Sequence, residues 1–414
     1  MKFEDYRIDP KIKRSIAELG FKKPTDIQYR CIPAVLKRED LLAIAQTGTG
    51  KTGAFAIPIV DRMNDRLLGH RPEGVKCLVM APTHELALQI TRVFNELEKF
   101  TKVKTVCIHG GVDQAPQIQA LEDGFDILVA TPGRMFDLRS QGHLVLHRIE
   151  ILVLDEADLM LDLGFIKDIQ DLVNRLPKKR QTLFFSATIN DKIKDLAYSM
   201  VNNPIRIHVS PKDPVSKNVI HSVAMVSMDE KRFFLERIIN ENPESKILVF
   251  VRTKVRAERV MKAMARVEID SITIHSDKNQ TERDAAMTSF RSGKSKILIA
   301  TDVSARGIDI PDVDQVINYD MPDIAENYVH RVGRTGRGRN KGLAVSFCAE
   351  EEQKMLADIE KYVGKKINEL EVDSADRDIT VQLSNENNWQ ALLKNEAKME
   401  STAPKKKFKK GKGR

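Results

Sequence analysis

The sequence predicts an α/β protein with two tandem, doubly wound parallel-sheet domains and a basic C-terminal tail. Two observations predict this fold class: short, nearly continuous apolar runs recur along the chain, and segments with helical periodicity lie between them. Continuous apolar character is typical of strands that are covered on both faces, as in parallel sheets. Strands that alternate with amphipathic helices indicate a doubly wound architecture.

The apolar runs that predict strands form two series. The first comprises residues 41–45, 77–81, 125–130, 151–154 and 182–187, and the second comprises residues 246–251, 271–274, 296–300, 315–319 and 343–347. Between the second and third runs a helix is predicted over residues 85–100, because its apolar side chains share one helical face. Helical patterns of this kind lie between the apolar runs.

The segment at residues 208–218 separates the two series. It contains two prolines and several polar residues, which is typical of a linker. We therefore predict a first domain over residues 1–208 and a second over residues 218–365. A polar extension over residues 366–414 ends in the basic tail.

The composition favours a soluble globular enzyme. The chain has 414 residues, of which 42% are hydrophobic, enough for about two or three domains with cores. No apolar run approaches the roughly 18 residues of a membrane span, and the N-terminal segment lacks the apolar run of a secretory signal. The four cysteines form no CxxC pair, so we expect buried reduced thiols without a metal. We expect a cytoplasmic protein with no membrane association.

Positive charge is concentrated at the C-terminus. The net charge is +8, and residues 404–414 carry seven positive charges and no acid, which leaves +1 for the remainder. A short basic run is typical of an arm that binds a polyanion. The alternative is a solvated terminus that only aids solubility.

A glycine-rich loop follows the first predicted strand, in the segment AQTGTGKT. Gly48 and Gly50 allow backbone N–H groups to face a phosphate, and Lys51 supplies a charge at the β- and γ-phosphates. The hydroxyl of Thr52 can ligate Mg²⁺, and a helix N-terminus adds partial positive charge. Ala45 replaces the first glycine of the usual pattern. The predicted phosphate-binding residues are Ala45, Gln46, Thr47, Gly48, Thr49, Gly50, Lys51 and Thr52.

An acidic pair ends the strand predicted over residues 151–154. Asp155 can hold Mg²⁺ directly or through water, and Glu156 can orient and deprotonate an attacking water. An acidic pair at a helix start can also be a simple cap. With a phosphate-binding loop upstream, the pair instead predicts hydrolysis of a nucleotide.

The segment DEAD at residues 155–158, with the motifs around it, resembles the DEAD-box family of RNA helicases over about residues 3–350. The short form with a basic tail resembles the bacterial RhlE-like subgroup. The resemblance implies two RecA-like domains, ATP and Mg²⁺ as cofactors, and RNA as partner. In GFKKPTDIQ, it implies that Phe21 stacks on adenine and that Gln28 bonds to the adenine edge. Phe3 corresponds to an isolated aromatic upstream of this motif.

The resemblance also assigns roles near the ends of later strands. Asp309 reaches the ribose, and Arg334 and Arg337 reach the γ-phosphate as arginine fingers, although HRVGRTGR could also be a plain basic loop. Coupling of hydrolysis to strand separation is implied for Asp158, Ser186, Thr188 and His330.

The RNA contacts that the resemblance implies are glycines, hydroxyls and residues at helix N-termini. Such groups suit contact with phosphate and sugar, so we expect sequence-independent binding that recognises the 2′-hydroxyl. The implied residues are Pro82, Thr83, His84, Gly110, Gly111, Thr131, Gly133, Arg134, Thr253, Gln280, Arg283, Thr301 and Arg306.

Two residues depart from the family pattern. His84 stands where arginine is usual, so we expect weaker RNA binding that recovers as the pH drops through roughly 6.5. Ser276 stands where glycine is usual, so the backbone at this position need not have the geometry that is usual in the family.

The leading prediction is an RNA-dependent ATPase that separates short duplexes or displaces proteins from RNA. The alternatives are a nonenzymatic, ATP-gated RNA clamp and a DNA-translocating helicase with related domains. Ribosomal or mRNP proteins are further candidate partners, and a monomer is expected.

Overall fold

The computed structural model describes residues 2–46, 48–66, 75–209, 215–305, 313–336 and 341–371. These residues divide into two compact units, of which the second begins at Val215. Among the predicted site residues, Thr47, Arg306, Asp309 and Arg337 lie outside the described residues, as does the basic tail. No helix in the described ranges is long and apolar enough to cross a bilayer.

The first unit contains a seven-stranded sheet with the order β3-β4-β2-β5-β6-β1-β7. Every neighbouring pair is parallel; Leu41, for example, lies opposite Leu183 on one side and Ile205 on the other. The strands are β1 (Leu41–Ala45), β2 (Cys77–Met80), β3 (Thr105–Ile108), β4 (Ile127–Ala130), β5 (Ile151–Leu154), β6 (Gln181–Ser186) and β7 (Ile205–Val209).

Helices cover both faces of this sheet. Alternate strand residues such as Leu41 and Leu42 enter two separate hydrophobic clusters, one on each face. This two-sided burial explains why the central strands are continuously apolar in sequence. The helices are α1 (Pro10–Glu18), α2 (Asp26–Leu36), α3 (Lys51–Arg66), α4 (His84–Glu98), α5 (Ala115–Glu122), α6 (Pro132–Ser140), α7 (Ala157–Asp162), α8 (Ile166–Arg175) and α9 (Asp191–Met200).

The second unit repeats this architecture. Its seven strands have the order β10-β11-β9-β12-β13-β8-β14 and all pair in parallel. The strands are β8 (Val219–Met225), β9 (Ile247–Val251), β10 (Ile272–Ile274), β11 (Ile297–Thr301), β12 (Gln315–Asn318), β13 (Gly342–Cys348) and β14 (Asn368–Leu370). The helices are α10 (Lys231–Glu241), α11 (Lys254–Arg266), α12 (Gln280–Arg291), α13 (Asp302–Ala305), α14 (Ala325–Val332) and α15 (Gln353–Val363).

All ten apolar runs are strands, which confirms the predicted fold class. The sequence pattern missed four strands, namely β3, β7, β8 and β14, because each has positions that are not buried. At β14 all three residues are exposed, and this strand lies beyond residue 365, the predicted end of the second domain. A strand at or near a sheet edge does not need the continuous apolar run that a central strand needs.

Candidate nucleotide and RNA sites

The phosphate-binding loop connects β1 to α3. Gly48 has φ +80° and Gly50 has φ +94°, positive values that residues other than glycine rarely adopt. A Cβ at Gly50 would lie 2.8 Å from Nε2 of Gln28. The Thr49 hydroxyl donates to the Gln46 carbonyl at 2.7 Å, which closes the loop on itself just before α3 begins. The loop therefore has the compact form that phosphate binding requires.

Lys51 and Asp155 place two buried groups of opposite charge at this loop. Lys51 is 6% exposed, and its Nζ has no hydrogen-bond partner among the described residues. Burial raises the pKa of Asp155, and the charge of Lys51 opposes that shift. A buried ammonium without a partner is costly, so this site fits an anionic ligand such as a nucleotide phosphate.

The acidic pair follows β5. Asp155 Oδ1 accepts a hydrogen bond from the Glu156 backbone N–H at 3.0 Å, and Glu156 has left-handed dihedrals (φ 51°, ψ 52°). Such a conformation costs a non-glycine residue about 1–2 kcal/mol, a strain that is common at active sites.

The described residues contain no group of three or more His, Cys, Asp or Glu side chains that could hold a metal ion. Mg²⁺ in phosphate-transfer sites uses one or two carboxylates together with phosphate oxygens and water. Asp155 and the Thr52 hydroxyl, both beside the phosphate-binding loop, fit this pattern.

Gln28 connects helix α2 to the loop. Its Oε1 accepts from the Thr25 N–H at 3.0 Å, and its Nε2 donates to the Gly50 carbonyl at 3.1 Å. An amide has a further N–H and a further lone pair, so a nucleotide base can still bond to it. Phe21 is 38% exposed, and its ring stacks on that of Phe3 with centroids 6.4 Å apart. The structure thus brings Phe3 to Phe21, an aromatic side chain of the motif that it precedes in sequence.

Asp158 links the acidic motif to the end of β6. Its Oδ2 accepts hydrogen bonds from the Ala187 N–H at 3.2 Å, the Thr188 N–H at 3.1 Å and the Thr188 hydroxyl at 3.2 Å. The Ser186 hydroxyl donates to the Thr188 carbonyl at 2.8 Å. Three of the predicted coupling residues therefore form one connected network.

A pocket of about 320 Å³ in the first unit gathers most of its predicted RNA contacts. Pro132 belongs to the segment TPGR at residues 131–134 that the resemblance implies, whereas Asp137 and Phe165 were not predicted. Phe165 follows α7 and reaches the pocket only through the fold. The lining residues are Pro82, His84, Gly110, Thr131, Pro132, Gly133, Arg134, Asp137 and Phe165.

Backbone contacts hold Arg134 of this pocket and Thr83, which lies between Pro82 and His84 in sequence. Arg134 Nη2 donates to the Val112 carbonyl at 2.8 Å, while Arg134 Nη1 is buried without a partner among the described residues. Thr83 caps α4 by accepting from the Leu86 N–H at 3.2 Å, and Gly111 has φ +76°. The ring of His84 lies 5.2 Å from that of His109, which the sequence did not single out.

In the second unit, the predicted RNA contacts lie at helix N-termini and a strand end. Thr253 caps α11 and accepts from the Arg256 N–H at 3.1 Å, and Thr301 ends β11 with its hydroxyl 3.2 Å from that of Ser304. Gln280 is the first residue of α12, with Arg283 in its first turn. Helix N-termini are favourable places for phosphate.

Ser276 is not among the described residues with positive φ, so its backbone does not require the glycine that is usual there.

The residues of the arginine-rich motif HRVGRTGR differ in their position and in their partners. His330 and Arg331 lie in the last turn of α14, and Arg334 follows it and is 6% exposed. Arg331, which was not predicted as a site residue, is 1% exposed and pairs with Asp302. The first arginine of the motif is therefore an internal anchor.

Two family models match the chain: DEAD/DEAH box helicase over residues 25–196 and Helicase conserved C-terminal domain over residues 230–339. The chain is 40% identical over 384 residues to the ATP-dependent RNA helicase RhlB of Shewanella oneidensis, covering 91% of this chain and 86% of that protein. It is 36% identical over 375 residues to the DEAD-box ATP-dependent RNA helicase RhpA of Helicobacter pylori, covering 89% and 74%.

Solved structures give the same result. Dbp5 of S. cerevisiae bound to RNA and ADP BeF3 matches with a TM-score of 0.78 and 31% identity, covering 93% of this chain and 99% of that one. Mss116p bound to ssRNA and AMP-PNP matches with a TM-score of 0.80 and 27% identity, covering 92% and 81%. Because the curated relatives described here are named RhlB and RhpA, the RhlE-like subgroup stays a prediction. The chain belongs to the DEAD-box family of ATP-dependent RNA helicases and has the tandem RecA-like fold of that family.

Proposed function

We propose that this helicase hydrolyses ATP with Mg²⁺ at the C-terminal edge of the first sheet, and that RNA bound through its backbone gates the reaction. One observation carries the proposal: the buried ammonium of Lys51 has no hydrogen-bond partner among the described residues, and it lies near the buried carboxylate of Asp155. A triphosphate would supply hydrogen-bond acceptors for Lys51, and a phosphate-bound cation would offset the charge of Asp155.

The residues of the loop and the acidic pair divide the chemistry. Lys51 binds the β- and γ-phosphates, and the backbone N–H groups around Gly48 and Gly50 face the phosphate oxygens. Thr52 and Asp155 would hold Mg²⁺, which would neutralise charge on the phosphates. Glu156, held in its left-handed conformation, orients the attacking water and accepts its proton.

Base and ribose recognition follow the family resemblance. The exposed face of Phe21 stacks on adenine, and the remaining hydrogen-bonding capacity of Gln28 recognises the adenine edge. Asp309 contacts the ribose. Because Gln28 also bonds to the Gly50 carbonyl, it links recognition of the base directly to the phosphate-binding loop.

Arg334 and Arg337 stabilise the charge that develops on the γ-phosphate, in a role that rests on the family resemblance. Removing such an arginine from a P-loop enzyme costs about 10³–10⁵ in rate. The first unit holds the phosphate-binding loop and the second holds these arginines, so hydrolysis requires both units. If RNA binds both units, it favours the hydrolytic state. By reciprocity, ATP tightens RNA binding by the same factor.

RNA binding uses the pocket of the first unit and the N-termini of α11 and α12 in the second. These groups suit phosphate and sugar oxygens, so binding is independent of sequence and distinguishes RNA through its 2′-hydroxyl. Arg306, at the end of the predicted motif, adds a further phosphate contact by the same resemblance. The network of Asp158, Ser186 and Thr188, with His330, transmits hydrolysis to strand separation.

We also propose that the enzyme acts as a monomer in the cytoplasm, on RNA that carries ribosomal or mRNP proteins. All four cysteines are free and three are buried, in keeping with a reducing compartment.

Steady-state ATP hydrolysis without nucleic acid, with RNA and with matched DNA tests the proposal, with Glu156→Gln as the blank. We expect strong stimulation by RNA alone, and its loss in Glu156→Gln. Equal stimulation by DNA would instead establish a DNA translocase. ATP-dependent RNA binding without turnover would establish a nonenzymatic clamp.

A further inference from the structure

Glu258, on α11, is the centre of a polar cluster that no predicted role involves. A single oxygen of its carboxylate, Oε1, accepts from the Thr273 hydroxyl at 2.9 Å and is bonded to His275 Nε2 at 2.8 Å. The ammonium of Lys278 lies 3.3 Å from the same oxygen. Thr273 lies in β10, and the other two residues lie in the turn that follows it. One carboxylate therefore fixes a strand and the next turn to helix α11.

His275 occupies the buried part of this cluster, at 5% exposure. A carboxylate accepts and does not donate, so Nε2 is the ring nitrogen that carries hydrogen in this bond. Nδ1 is buried and has no hydrogen-bond partner among the described residues, which suits a bare ring nitrogen. The hydrogen bond from His275 is the main reason that the pKa of Glu258 is lowered to about 2, so the carboxylate is charged at neutral pH.

The turn held by Glu258 leads directly into α12. Lys278 N–H donates to the His275 carbonyl at 3.1 Å, and Asn279 caps α12 by accepting from the Glu282 N–H at 2.9 Å. A second ion pair, between Lys254 Nζ and Asp277 Oδ1 at 2.8 Å, joins the same turn to the first residue of α11. The N-termini of α11 and α12 are thus connected at two points.

We propose that Glu258 and His275 are positioning residues for RNA, which fix the relative placement of Thr253 at the start of α11 and of Gln280 and Arg283 at the start of α12. The inference rests on the proposed RNA contacts of the second unit. Two helix N-termini can bind phosphates of the same RNA strand at once only when the distance between the N-termini matches the distance between those phosphates. A loose turn would let α12 move relative to α11, and part of the binding free energy would be spent on ordering it.

The test changes His275 and not Glu258, because an uncharged replacement of His275 leaves the Glu258 carboxylate and its negative charge in place. Glu258→Gln would remove a negative charge beside RNA and would strengthen binding for an unrelated electrostatic reason. In His275→Ala, the ring and its hydrogen bond are lost. In His275→Gln, the side-chain amide can still donate to Glu258. Thr273→Val removes a second hydrogen bond to Glu258 with little change of volume.

The experiment measures RNA-stimulated ATP hydrolysis against RNA concentration in the full-length protein. For His275→Ala we expect the half-saturating RNA concentration to rise roughly 3- to 10-fold, with turnover at saturating RNA within about 2-fold of the parent. His275→Gln should recover to within about 2-fold, and Thr273→Val should shift in the same direction as His275→Ala. Ser292→Ala, which removes an exposed hydroxyl at the opposite end of α12, is the matched control and should change neither quantity.

Arg283→Ala separates failure of this inference from failure of the proposed RNA contacts. If Arg283→Ala leaves the half-saturating RNA concentration unchanged, the proposed RNA contact at α12 is wrong. If Arg283→Ala raises the half-saturating RNA concentration but neither His275→Ala nor Thr273→Val does, the RNA contact stands and the positioning role is overturned. A His275→Ala variant that loses turnover and thermal stability, with no shift in half-saturation and no rescue by glutamine, would also overturn it.

Discussion

Arg331 and Asp302 form a two-point ion pair inside the second unit, with Nε donating to Oδ1 at 2.6 Å and Nη2 to Oδ2 at 2.8 Å. Arg331 Nη1 also donates to the Asp320 carbonyl at 2.7 Å, and the guanidinium lies 5.1 Å from the centroid of the Phe250 ring. This pair joins α14, which leads into the arginine-rich motif, to α13 at the end of β11. The pair therefore fixes the last turn of α14, which ends two residues before Arg334.

Breaking the pair should destabilise the second unit. Arg331→Leu leaves the Asp302 carboxylate, the Asp320 carbonyl and Asn318 Oδ1 without their donor, so we expect the free energy of unfolding to fall by about 3–5 kcal/mol. Urea unfolding measures this change. Asp302→Asn and the double variant complete a cycle, in which the two single effects should not add. Additive effects, or a loss below about 1 kcal/mol, would contradict the role of Arg331 as an anchor.

Thr188 should link hydrolysis to unwinding through Asp158. Thr188→Val removes the hydroxyl that donates to Asp158 Oδ2. A hydrogen bond to a charged group contributes about 1.5–3 kcal/mol, so we expect duplex unwinding to slow by about 10-fold or more while RNA-stimulated ATP turnover stays within about 3-fold. Both rates are measured on the same preparation.

Thr91→Val is the matched control for this variant. It removes a hydroxyl that bonds to the Ala87 carbonyl within α4, and it should leave the ratio of unwinding to ATP turnover unchanged. A Thr188→Val variant in which unwinding and hydrolysis fall in parallel would show that the residue supports hydrolysis itself.

Gly50 should be required for ATP binding for a steric reason. In Gly50→Ala the residue must hold a positive φ, which strains any side chain, and the new Cβ would lie too close to the Gln28 amide. The loop must therefore move away from its phosphate-binding form. We expect ATP affinity, measured by calorimetry, to fall at least about 10-fold. Gly124→Ala has a similar φ of +79° and no atom within 4 Å of the added Cβ. It should lose about 1–2 kcal/mol of stability without any change in ATP affinity.

His84 should limit RNA affinity in the pocket of the first unit. His84→Arg introduces a permanent charge with a planar set of donors, so RNA should bind about 3- to 10-fold more tightly near pH 8. Fluorescence anisotropy with a labelled single strand measures both affinities. An affinity ratio of one would show that residue 84 does not contact RNA.

Asp61 should make stability depend on pH. It lies on α3 and accepts the Asp9 N–H at 2.7 Å, and burial raises its pKa to about 6 from an ordinary 3.8. Because the folded state holds this proton more tightly, the contribution of Asp61 is present below about pH 4 and is lost as the pH rises through about 6.

Asp61→Asn keeps an acceptor for Asp9 and removes the titration. The difference in unfolding free energy between variant and parent should therefore grow in favour of the variant, by on the order of 1–3 kcal/mol, between about pH 4 and about pH 7. Urea unfolding at several pH values measures it. A difference that stays constant with pH would contradict this assignment.

Some features could be predicted from sequence because local pattern determines them. A central strand of a parallel sheet is buried on both faces, so runs such as residues 151–154 are recognisable by composition alone. The phosphate-binding loop is equally local, because Gly48 and Gly50 carry the backbone conformation and Lys51 the charge within one short segment. The motifs were therefore sufficient to predict both the fold and the family.

Other features depended on tertiary structure because their partners are far apart in sequence. Nothing local shows that Arg331 is an anchor, since only the fold brings Asp302 within reach of its guanidinium. Glu258 meets His275 because β10 packs beside α11, and Phe165 lines the pocket of the first unit because the chain returns there after α7. Strand β14 could not be recognised because an exposed edge strand needs no apolar run. Sequence pattern records burial and backbone conformation, whereas pairing of side chains depends on how the elements pack.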